Sequence, residues 1–80
     1  MKKEINLKFN SVERVYDFIH ITTHSICLID IKAGCCDLDG KSLVGLLSLD
    51  FSKPVLAEIY GENDEVDDLI NQIRPLDIIV

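Results

Sequence analysis

The sequence predicts an α+β fold: a four-stranded antiparallel sheet with its helices on one face, an open-faced sandwich. The element order is strand-helix-strand-strand-helix-strand-helix. Three observations lead there. Apolar residues alternate with period two in three separate stretches, which is the signature of strands with one buried face. They recur at spacings of three and four in two others, the signature of amphipathic helices. The two kinds of stretch are interleaved along the chain and joined by short turns, and helices gathered on one side of an antiparallel sheet form a two-layer sandwich. Eighty residues make one domain, residues 1–80, with a thin core: a chain of this size buries only about 60% of its unfolded surface.

Taken in order, Ile5, Leu7 and Phe9 alternate with Glu4, Asn6, Lys8 and Asn10 to give the first strand. Asn10 stands three residues before Glu13, the spacing of a capping box. A helix from about Ser11 then places Val12, Val15, Tyr16 and Ile19 on one face, widened by Phe18, with Glu13, Arg14, Asp17 and His20 towards water. It fades near Thr22-Thr23. Cys27, Ile29, Ile31 and Ala33 share a face of the second strand. Gly34 marks a turn into a short third strand, Cys36 to Asp39, as in a hairpin. Ser42 opens a short apolar helix. Pro54 suits the first position of a strand, and Val55, Ala57 and Ile59 then alternate with Leu56, Glu58 and Tyr60. Asn63 or Asp64 caps the last helix, whose apolar face is Val66, Leu69, Ile70 and Ile73. Glu62, Asp64, Glu65, Asp67 and Asp68 crowd its start, where the helix dipole favours negative charge. Pro75 stops it, and the apolar tail Leu76 to Val80 is an extended segment covering an edge or patch.

The net charge of −6 argues against nucleic acid, whose backbone needs clustered Lys and Arg. No apolar run approaches the roughly 20 residues of a membrane span, and Met1 to Asn10 alternates instead of forming a signal core. Three cysteines, an odd number, fit a reducing compartment without a disulfide framework. The expected location is the cytoplasm, away from membranes.

The stretch Gly40-Lys41-Ser42-Leu43-Val44-Gly45-Leu46-Leu47-Ser48-Leu49 resembles the second helix of HPr. HPr is the small phosphocarrier of the bacterial sugar phosphotransferase system. The resemblance runs on through Pro54 to Tyr60, Gly61-Glu62-Asn63-Asp64-Glu65 and the final helix, and reaches back through Ile29 and Ile31. It implies the same sandwich fold.

At its defining site the chain departs from that family. The HPr pattern Gly-aliphatic-His-Ala-Arg-Pro-Ala meets Phe9-Asn10-Ser11-Val12-Glu13-Arg14-Val15 here. Ser11 stands for the acceptor histidine, Glu13 for the arginine, and the proline is missing; Arg14 is one position off. A phosphoimidazole passes its group on readily, whereas a phosphoserine ester does not. Asn10, Ser11 and Arg14 therefore mark a degenerate phosphoacceptor site, and no catalytic residue is assigned. The resemblance makes Ser42 a candidate for regulatory phosphorylation by a serine kinase, and Leu43, Val44 and Leu47 a partner-docking patch. Ser42 is equally a simple N-cap, and the three aliphatics are equally core, although a short helix cannot bury all its sides. His20 and His24 are four apart, a metal-pair spacing, but cationic side chains near a helix C-terminus are favoured by the dipole alone. Neither they nor Cys35-Cys36 are assigned a metal, and no cofactor is implied. The expected function is that of a non-enzymatic regulatory or binding module with protein partners, phosphotransferase-system components or a serine kinase among them. The alternatives are a true carrier with an atypical acceptor and an interaction domain that shares only the architecture.

Overall fold

The computed structural model describes all eighty residues. Strands β1 (Lys2–Leu7), β2 (Leu28–Ala33), β3 (Cys36–Asp39) and β4 (Val55–Tyr60) form one sheet in the order β1-β4-β2-β3. Every neighbouring pair is antiparallel. Helices α1 (Val12–Thr23), α2 (Leu43–Leu47) and α3 (Asn63–Ile73) cover one face, followed by a 3-10 turn at Arg74–Leu76. The sheet's other face is open. The core lies between the layers. Leu7, Ile29, Ile31, Val55, Ala57 and Ile59 supply the sheet side; Val15, Phe18, Leu46, Val66, Leu69, Ile70 and Ile73 supply the helix side.

The period-two stretches form strands with the expected faces inward, because each slip of one residue would turn Ile29 and Ile31 to water; β1 is shorter than expected, ending at Leu7 before Phe9 and the left-handed Asn10. Gly34, with φ 64°, takes the first central position of the two-residue β2–β3 turn, where a glycine-type backbone suits hairpin twist. The tail closes the outer edge of β1. Lys8 N–H donates to the Ile78 carbonyl at 2.7 Å, Val80 N–H to the Asn6 carbonyl at 2.9 Å, and Ile79 bridges Leu7. Asp77 turns the chain back at φ 58°, and Ile78 is buried. An edge strand left open is a template for association.

Three expectations are corrected. The first is the face of α1. Val12 and Tyr16 are 44% and 50% exposed, and the buried positions are Val15, Phe18 and Thr22, with Ile19 half-buried. The helix is turned by somewhat less than one residue's step of about 100°. Two contacts set that turn: Phe18 packs edge-on against Phe9, ring centroids 5.2 Å apart, and the Thr22 hydroxyl donates to the Gly40 carbonyl at 3.0 Å. The second is the cap of α1. Ser11, not Asn10, accepts the Arg14 N–H at 3.3 Å, while Asn10 sits in the left-handed region at φ 70° and donates its side chain to the Lys8 carbonyl. The third is the start of α3, which begins at Asn63 with Glu62 in the cap position and no side-chain capping bond. Gly61 is pinned just before it by reciprocal bonds with Met1, 3.0 and 2.9 Å, and the following acids interact with the dipole in place of a cap.

Candidate functional site

Helix α2 is only five residues long. The Ser42 hydroxyl accepts the Gly45 N–H at 3.3 Å, and the Ser48 hydroxyl donates to the Gly45 carbonyl at 2.6 Å, so both ends are closed by side chains. Leu46 is fully buried and anchors the helix. Leu43 is half-buried and packs on the core. Val44 is 82% exposed, and Leu47 is exposed as well. Of the three aliphatics expected to form a patch, two therefore face water and one does not.

The patch extends onto α1. The two helices run side by side in opposite senses. At one end the Thr22 hydroxyl reaches the Gly40 carbonyl and Lys41 Nζ the Ser25 carbonyl at 2.7 Å; at the other the Asn10 N–H reaches the Phe51 carbonyl at 3.0 Å. Ile21 and His24 border α3 across a polar cleft with Glu65, Asp68 and Gln72. Val12, Tyr16 and Ile19 lie on the opposite flank of α1, the one beside α2, because residues three and four apart share a helix face. Val12, Tyr16, Val44 and Leu47 thus border one seam between two helices. The first two escaped the sequence reading. A helical template centred on Phe18 and Thr22 would have turned them outwards.

Asn10, Ser11 and Arg14, the residues that the resemblance sets against the acceptor pattern, lie at the start of α1. Ser11 spends its hydroxyl as the helix cap. Arg14 pairs with Asp17 at 3.1 Å on its own helix, and Glu13 sits exposed in the first turn. An anion approaching here meets a carboxylate and an arginine already paired. His20 and His24 stand at the far end of α1, ring centroids 4.9 Å apart, with His24 Nδ1 2.7 Å from the His20 carbonyl. No group of three or more His, Cys, Asp or Glu side chains is placed to hold a metal ion. Cys27 is buried, whereas Cys35 and Cys36 are exposed at the hairpin turn.

Glu58 was also missed. Strand alternation puts it on the open face, yet it is only 6% exposed. Lys2 Nζ at 3.1 Å and Lys32 Nζ at 3.4 Å flank its carboxylate, and Lys32 also holds Asp37 at 3.2 Å. The hydrogen bond from Lys2 leads the causes that hold the Glu58 carboxyl below its ordinary value, against an opposing desolvation. Both lysines are pushed up in turn, Lys2 by Glu58, and Lys32 by Asp37 first and Glu58 second.

No protein-family model matches the chain, and no curated protein matches it. Solved structures do. HPr-C-His from Thermoanaerobacter tengcongensis superposes with a TM-score of 0.68 over 92% of this chain and 89% of that one, at 18% identity. That likeness establishes the fold. No helix is long and apolar enough to cross a membrane.

Proposed function

We propose that the chain is an HPr-like protein-binding module, related to the phosphotransferase system, that docks partners through the α1–α2 seam and does not relay phosphate. The observation that carries this reading is the exposure of Val12, Tyr16, Val44 and Leu47 along one seam. Four neighbouring apolar side chains facing water cost hydration free energy that a partner recovers. The HPr-like fold supports partners among phosphotransferase-system components, and the absence of a histidine at the start of α1 supports binding in place of transfer. The module acts in the cytoplasm and catalyses nothing. Ser42, at the edge of the seam, is the place where a serine kinase adjusts docking: a phosphate there adds charge beside Val44 while the first-turn amides of α2 remain available to it.

The test is a titration of the isotope-labelled chain with enzyme I and with the serine kinase of a phosphotransferase system, read by amide chemical shifts. Shifts are expected at Val12, Tyr16, Val44 and Leu47 with at least one of them. Val44→Asp should keep the thermal midpoint and weaken that binding at least tenfold, because truncating or charging a central apolar contact costs about 2 kcal/mol or more. Shifts confined to other surfaces, or none with either partner, would leave only the architectural likeness.

A further inference from the structure

The open face of the sheet carries a cleft of about 500 Å³ at the end of the β2–β3 hairpin, bordered also by Tyr60 of β4. Its walls are set by strand register. Leu28 stands opposite Tyr60 across β2 and β4, and Asp30 stands opposite Asp39 across β2 and β3. Asp37 completes the rim. Leu28 is 69% exposed, a leucine on a strand with nothing of this chain above it.

The nearby lysines are committed elsewhere. Lys2 and Lys32 hold Glu58 and Asp37, and Lys41 Nζ donates to the Ser25 carbonyl. None of the chain's ion pairs includes Asp30 or Asp39. Like charges directly opposite on neighbouring strands destabilise a sheet, and an exposed leucine beside them adds nothing to the fold. Asp39 serves the turn after β3, its carboxylate accepting the Lys41 N–H at 2.9 Å, but Asp30 and Leu28 make no such return, and departures of that kind concentrate where a protein binds something.

We propose that this unpartnered sheet face docks an arginine-bearing segment of a protein partner. Charge complementarity selects the occupant. A second copy of this chain, also at −6, is repelled. A guanidinium presents a planar fork of donors that suits two carboxylates on adjacent strands, where an ammonium is a point charge. Its apolar stem lies along Leu28, and the Tyr60 ring offers a face for the cation. The cleft is on the opposite side of the sheet from the α1–α2 seam, so it stands or falls independently of that surface.

The experiment is a titration of the labelled full chain with the peptide acetyl-Gly-Leu-Arg-Arg-Leu-Gly-amide, its Gln-Gln counterpart, and spermine. The arginine peptide should shift the amides of Leu28, Asp30, Asp39 and Tyr60, with an affinity that falls as salt rises. The Gln peptide should leave them unmoved, and spermine should bind at least tenfold more weakly. Asp30→Asn with Asp39→Asn should weaken binding at least tenfold while leaving the thermal midpoint equal or higher. An opposed pair of like charges is then gone, and a side-chain amide oxygen replaces the Asp39 carboxylate as acceptor for the Lys41 N–H. Leu28→Ser should weaken binding without altering the midpoint. Equal binding of the Gln peptide or spermine overturns the proposal, as does a double variant that binds unchanged or melts lower. Shifts confined to the acidic start of α3 also overturn it.

Discussion

Glu58 is the residue where charge and burial meet. Its carboxylate is almost wholly shielded, under the side chains of Lys2 and Lys32. Because the folded carboxyl titrates below its ordinary value of 4.5, its stabilising contribution is complete above that pH and is lost as pH falls through the folded value. The raised lysines behave oppositely: their contribution is present below 10.5 and is lost as pH rises through the folded values. Glu58→Gln should therefore lower the thermal midpoint at pH 7, and the gap from the wild type should shrink as pH falls below 4.5. A gap that is constant with pH would mean that packing, not the ion pairs, is what Glu58 supplies. Alternation in the sequence placed Glu58 correctly on the open face but could not reveal its burial, which depends on two lysines from other strands. Ser42 was more legible, since capping is local: Ser42→Ala should lose about 0.5–2 kcal/mol, whereas Ser42→Asp keeps an acceptor and should hold the midpoint.

Among the elements, α1 shows where periodicity stops being sufficient. Val12, Val15, Tyr16 and Ile19 make an acceptable helical stripe, as do Val15, Phe18, Ile19 and Thr22. The choice between them is made by Phe9 and Gly40, which lie outside the helix, in the connections after β1 and β3. Gly40 is needed for a second reason. A Cβ there would lie 2.7 Å from the Ile29 Cβ, and its N–H donates to the Ile29 carbonyl at 2.8 Å. Gly40→Ala should cost about 1–3 kcal/mol by overpacking, which differential scanning calorimetry would read as a midpoint lower by roughly 4–8 °C per kcal/mol. An unchanged midpoint would show that the β3–α2 junction yields easily. The tail was legible as an apolar covering segment, but the expected extended run from Leu76 was too long, since Leu76 ends a 3-10 turn and Asp77 is left-handed; nor was its edge legible, because that β1 lies outermost follows from strand order, which alternation does not encode. Ile78→Ala should cost about 2–5 kcal/mol and speed hydrogen exchange at Lys8, whose amide is held by the Ile78 carbonyl. Exchange at Lys8 unaffected by the substitution would show that the tail does not protect this edge.

At the scale of the molecule, the layer architecture was legible because strand and helix stretches differ plainly in period and are separated by turn residues such as Gly34 and Pro54, although Asn10 and Asp77 take left-handed backbone without a glycine. The exposed apolar seam was half legible. Val44 and Leu47 stood out as apolar residues on a helix too short to bury every side, while Val12 and Tyr16 emerged only once α1 was oriented against its neighbours. What the chain does turns on the start of α1, where Ser11 caps the helix, Arg14 is paired with Asp17, and Glu13 lies exposed. A module of this shape that binds without carrying phosphate should be silent in the transfer reaction. The most direct measurement is incubation with enzyme I and labelled phosphoenolpyruvate, followed by mass analysis of the chain. The expected result is no label. Acid-labile label on His20 or His24, transferred at a rate that sustains turnover, would contradict a binding role without transfer.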